Sequence, residues 1–144
     1  MVEAQTIPAG AAPPLVQRLE AAINAHDLEA LVDCFAVDYR NETPAHPSRN
    51  FVGRDQVRAN WVQILGSVPD LTAVVVRAHA DGDTEWAEWH WSGTRPDGAA
   101  LAMRGVTING VVDGRAAWAR FYMEPVDDDG VGVDRVVRDQ VGAQ

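Results

Sequence analysis

The apolar residues of this chain change their spacing once, near Pro69, and that switch constrains the fold more than any other feature. Before it they recur with the period of a helix; after it they alternate with the period of a strand. Leu15, Leu19, Ala22 and Ile23 predict a first helix that starts just after Pro13 and Pro14, where proline fits a first turn. Asp27 is the expected N-cap of a second helix whose buried stripe is Leu28, Leu31, Val32 and Phe35. A polar connection, Val37 to Gly53, carries Pro44 and Pro47 and is long enough to be functional. A third helix is expected over about Arg54–Leu65, with Val57, Trp61, Ile64 and Leu65 inward and Gly66 at its end. Beyond Pro69 come four strands: "LTAVVVRAHA", Glu85–Thr94, Leu101–Ile108 and Arg115–Glu124. The turns between them are Asp81–Asp83, Arg95–Gly98 and Asn109–Gly114. Helices first and hairpin-linked strands afterwards predict an α+β domain: a curved antiparallel sheet closed into a cone by three N-terminal helices.

The second strand is the most informative. "TEWAEWHWSGT", Thr84–Thr94, holds Trp86, Trp89 and Trp91 together with Glu88 and His90. Alternation puts Trp89 and Trp91 on one face and Trp86, Glu88 and His90 on the other. If the first face lines a cavity, the result is an aromatic pocket; if the second does, it is a carboxylate–imidazole pair able to move protons.

At 144 residues the chain fits one domain with a real core. The expected division is a flexible lead-in over 1–13, one domain over 14–126 and an acidic tail over 127–144, with a short strand or helix at "VDRVVRD". A net charge of −9 argues against nucleic acid and anionic membranes as partners. The single cysteine, Cys34, excludes an intrachain disulfide and any CxxC site and reads as a buried thiol. The four histidines have no metal-ligand spacing, and no phosphate loop or dinucleotide fingerprint occurs, so no metal or cofactor is expected. No run is long enough to span a membrane and the first residues lack a basic n-region, so the expected location is cytoplasmic.

In that order, "LEAAINAHDLEALVDCFAVDY", "FVGRDQVRANWVQIL", "VPDL", "WSGTRPDG" and "MRGVTINGVVDGRAAWARFYMEPV" resemble the SnoaL-like branch of the nuclear transport factor 2-like superfamily, over roughly Leu15–Val126. The resemblance implies the cone fold and a small-molecule cavity. It leaves the reaction open, because the superfamily holds polyketide cyclases, ketosteroid isomerases, limonene-epoxide-hydrolase-like enzymes, dehydratases and noncatalytic domains. The Arg and Asp of the epoxide hydrolases fall on Trp89 and Trp91, and their second Asp on Phe121. The isomerase base falls on Thr43, with Glu42 beside it, and the cyclases' sheet Asp has no match.

By this matching Trp89 and Trp91 turn inward. The expected substrate-binding residues are Trp61, Trp89, Trp91 and Met103 with Phe121, Met123 and Asn41, and Ala117 and Ala119 leave room beside them. The candidate acids and bases are His46 in the loop, Glu88 and His90 on the strand, and Tyr39 as a phenol at the rim. The family also implies a homodimer through the outer sheet face, where Glu88 and His90 would then sit. Two functions follow. One is an enzyme that cyclises, isomerises or dehydrates an apolar, aromatic or polyketide-like substrate without a cofactor; the other is a noncatalytic binding or dimerisation domain.

Overall fold

Proline decides where the first helix begins. In the computed structural model, which describes residues 12–144, Pro13 caps α1 (Pro14–Ala25) and Pro14 is its first residue. Most of the lead-in therefore lies outside the described residues. Leu15, Val16, Leu19, Ala22 and Ile23 are buried along one face of α1. The helix stops at His26, which adopts the left-handed conformation at φ 53°, and Asp27 N–H returns to the Ala22 carbonyl. Asp27 then caps α2 (Leu28–Asp33) by accepting from Ala30 N–H at 3.1 Å.

The expected second helix ends before Phe35, and the chain continues as β1 (Phe35–Glu42), which joins the sheet parallel to its last strand. Between Phe35 and Arg40 the partner on that last strand advances only from Ala116 to Trp118. The excess residues form a bulge and leave Val37 71% exposed, which hides the alternation of Phe35, Tyr39 and Asn41 in the sequence. A 3-10 turn (Pro47–Arg49) and β2 (Phe51–Val52) follow, so the polar connection is partly sheet.

Helix α3 (Arg54–Ser67) runs through Gly66, and Val68 rather than Gly66 caps it. Gly66 costs about 1 kcal/mol of helix propensity relative to Ala, too little to end a helix anchored by Val57 and Trp61. The remaining strands are β3 (Thr72–Asp81), β4 (Thr84–Thr94), β5 (Ala100–Val112) and β6 (Arg115–Pro125). The order across the six-stranded sheet is β2-β1-β6-β5-β4-β3. The sheet is antiparallel except for the β1–β6 pair.

Of the two turn dipeptides before β6, only Asp113-Gly114 is used. Both residues have positive φ, 52° and 76°, as a tight hairpin turn requires. Asn109 is buried inside β5, and Gly110 lies under Trp118, whose indole would be 1.9 Å from an added Cβ.

Edge strand β3 is shielded by polar side chains of α1. Asn24 exchanges two hydrogen bonds with the Ala73 backbone, at 2.7 and 2.9 Å, as a neighbouring strand would. Glu20 accepts from Val75 N–H, and the His26 ring bonds the Leu71 carbonyl at 2.8 Å. Glu85 reaches from β4 into the start of α1 and accepts from Leu15 and Val16 N–H at 3.3 and 3.0 Å, a carboxylate on otherwise unsatisfied helix donors. Cys34 is buried at the end of α2, and burial pushes its thiol pKa up. Helix α4 (Val133–Val141) lies within the acidic tail and is exposed along its length.

Candidate small-molecule site

The inner face of β4 is buried at every second residue: Glu85, Ala87, Trp89 and Trp91. Gly105 of β5 faces Trp89, and a Cβ there would meet the Tyr122 carbonyl at 1.9 Å, so a side chain would force β5 and β6 apart. Toward the β1–β2 end, α3 and the sheet line a half-open cavity of about 270 Å³. Trp61, Trp91, Met103 and Phe121 form much of its wall. The Trp61 and Trp91 ring centroids lie 5.4 Å apart, tilted by 59°. Phe35, Tyr39 and Phe51 supply a second aromatic group, with edge contacts at 4.8 and 5.9 Å.

Besides the Tyr39 hydroxyl and the Trp61 and Trp91 indoles, the polar lining consists of four side chains: Asn41 and Thr43 from β1 and its end, Arg49 from the 3-10 turn, and Asn60 from α3. Tyr39 O–H donates to Asn41 Oδ1 at 2.8 Å, and Asn41 Nδ2 donates to Thr43 Oγ1 at 3.3 Å. The Asn60 carbonyl oxygen accepts from Gln56 Nε2 at 2.8 Å. Trp91 Nε1 is buried without an acceptor. Among the described residues no group of three or more His, Cys, Asp and Glu could hold a metal ion.

Several expected site residues lie elsewhere. Trp89 and Met123 are in the core beside the cavity, 2% and 6% exposed, and not on its wall. Trp89 sits two residues along β4 from Trp91, and its indole N–H is taken by Thr107 Oγ1 at 3.0 Å. Ala116, not Ala117, takes the inward place at the start of β6, because the ladder slips at Gly110/Val111. Tyr39 lines the cavity but is 1% exposed instead of at the rim; burial pushes its pKa up, and its proton is committed to Asn41.

Glu88 and His90 point away from the cavity, and Glu88 pairs with Arg77 of β3 at 3.0 Å. His46 also lies off the wall, with Nε2 at 2.5 Å from Glu124 Oε1 on β6. The expected acids and bases are thus not brought together. Asn60 was legible as a member of the Val57, Trp61, Ile64 stripe, one helical step from Trp61. Arg49 had no such signal, since no period governs a 3-10 turn.

The profile of the SnoaL-like domain matches residues 16–136. The chain belongs to the SnoaL-like family. Its nuclear transport factor 2-like fold recurs in solved structures. A protein from Catenulispora acidiphila with a ketosteroid isomerase-like fold, in complex with trimethylamine, is 20% identical; the match covers 77% of this chain and 86% of that one, TM-score 0.63. A proposed polyketide cyclase from Sinorhizobium meliloti is 22% identical over 78% and 94%, TM-score 0.59. A SnoaL-like protein of unknown function from Burkholderia thailandensis is 23% identical over 78% and 92%, TM-score 0.59. At these identities the likeness is one of fold. A comparison with curated proteins returned no match. Among the described residues no helix is long and apolar enough to cross a membrane.

Proposed function

We propose that this SnoaL-like chain binds a small aromatic or polyketide-like molecule in the cavity and promotes its cyclisation, isomerisation or dehydration without a cofactor. The observation that carries this reading is the aromatic wall of the 270 Å³ cavity, with polar groups gathered on few side chains. That volume is near the lower end of the range of about 300–1,000 Å³ for ligand sites and suits one or two rings. A fold neighbour crystallised with trimethylamine is in keeping with a small ligand.

These reactions share a step in which a C–H proton leaves and negative charge grows on a carbonyl oxygen. The Asn41 amide, on the cavity wall, is the group placed to receive that charge. No carboxylate or imidazole is on the wall, so the proton passes to solvent at the mouth or to His46, whose backbone N–H bonds the Thr43 carbonyl at 2.8 Å. The test is deuterium uptake next to the carbonyl of 1-tetralone in heavy water. Exchange above the buffer rate, reduced ~10-fold or more in Asn41→Ala, supports the enzyme. Slowing in His46→Ala would identify its base.

The same absence of a base on the wall favours a second reading, noncatalytic binding. Tight binding of 1-tetralone with exchange at the buffer rate would select it. The outer sheet face, with Val74, Trp86 and Tyr122 exposed at 46%, 43% and 43%, is the proposed contact with a second copy. Sedimentation of a dimer that Trp86→Glu dissociates would support that contact, and a wild-type monomer would exclude it.

A further inference from the structure

We infer that the cavity selects an aromatic molecule bearing an anionic oxygen group, a carboxylate or an enolate, and that Arg49 sets this specificity. The inference rests on the small-molecule reading above and names the class of ligand.

The reasoning is a count of donors and acceptors. Asn41 has its amide oxygen occupied by Tyr39 O–H, which leaves its NH₂ to donate. One of those N–H bonds goes to Thr43 Oγ1, which leaves the threonine proton to donate in turn. Asn60 has its oxygen occupied by Gln56, and its NH₂ remains. Trp91 Nε1 is a donor only, buried in a residue 7% exposed and lacking an acceptor. Arg49 is a donor only and is the sole charged side chain on the wall. It makes no ion pair or hydrogen bond with any described side chain.

Asn41, Thr43, Asn60 and Arg49 therefore each have a donor left over, while Tyr39 gives its proton to Asn41. The oxygens of both asparagines and of the threonine each already accept one hydrogen bond, and no carboxylate adds an acceptor. A ligand that brings donors would leave these N–H groups unpaired, which is costly in a site of this kind; a ligand that brings oxygen acceptors satisfies several at once. The whole chain, at −9, repels anions at a distance, so preference for an anion must arise locally, and Arg49 is the local charge.

The test compares three naphthalene probes of similar shape on the full chain by calorimetry: 1-naphthoate, its neutral methyl ester and 1-naphthylmethylammonium. The expected order is naphthoate tightest, by ~10-fold over the ester and ~100-fold over the ammonium, since a charged acceptor strengthens each bond. Arg49→Gln, at an exposed position that leaves the melting temperature unchanged, should weaken naphthoate ~10-fold and leave the ester as it was. Equal or tighter binding of the ammonium would overturn the inference, and so would an unchanged naphthoate-to-ester ratio in Arg49→Gln. Both results leave the cavity as a binding site. Failure of all three probes to bind the wild type would instead remove the small-molecule reading and this inference with it.

Discussion

The two faces of β4 are built from neighbouring residues of one strand, yet they do different work. On the inner face Glu85 holds the start of α1, Ala87 and Trp89 fill the core, and Trp91 begins the cavity wall. On the outer face Trp86 is 43% exposed and Glu88 meets Arg77 at the surface. The outer face has the residue types usually associated with proton transfer, and the inner face has the enclosure. Chemistry in this fold needs enclosure first, because water screens an exposed pair and competes for its protons. The location of the cavity, more than the presence of a Glu and a His, marks where a small molecule would fit.

Mutations on the two faces should separate accordingly. The largest effect belongs to Trp89→Ala, which empties a core position and removes one of the two donors to the Thr107 hydroxyl: a loss of about 3–5 kcal/mol in urea unfolding. A loss below 1 kcal/mol would mean that the inner face is not the packed one. Next comes Glu85→Ala, which leaves the buried Leu15 and Val16 N–H groups without acceptors. It should cost about 2 kcal/mol and lower the helical signal in circular dichroism. On the outer face Glu88→Gln should change stability by less than about 1 kcal/mol and leave ligand affinity untouched, because its partner is an exposed arginine. An equal loss for Glu88 and Glu85 would erase the distinction between the faces.

The smallest effect is at the end of β4. Asp70 accepts from the backbone N–H and hydroxyl of Thr94, both at 2.8 Å, and these bonds hold its carboxyl below the usual range. A lowered folded-state pKa gives stability that is complete above the unfolded value of about 3.9 and is lost as pH falls through the folded value. Asp70→Asn should therefore lower the melting temperature slightly at neutral pH and flatten its fall below pH 4. An identical slope in both proteins would contradict that assignment.

The parts that could be read from the sequence are those in which one period rules a whole element. The helical stripes of α1 and α3 and the alternation of β4 yielded the α+β class and put Trp89 with Trp91 on one face and Glu88 with His90 on the other; the resemblance to the SnoaL-like family supplied which of those faces turns inward. Strand β1 was not legible because its bulge leaves Val37 exposed between Phe35 and Tyr39, so a strand reads as loop. The depth of Trp89 was hidden for another reason: parity assigns a face but not a distance along it, and two residues of β4 separate core from cavity wall. His46 could not be placed from the sequence either, since its partner Glu124 lies 78 positions away on β6.

The proposed ligand sits in the cavity against the Trp61–Trp91 pair. The five tryptophans test that placement, because each indole N–H reports a separate place in the molecule. A titration with 1-naphthoate followed by the indole region of a ¹H–¹⁵N spectrum should move the signals of Trp61 and Trp91. It should leave Trp86, on the outer face, where it was. Movement of Trp86 with Trp61 and Trp91 unchanged would place binding on the outer face and contradict the account.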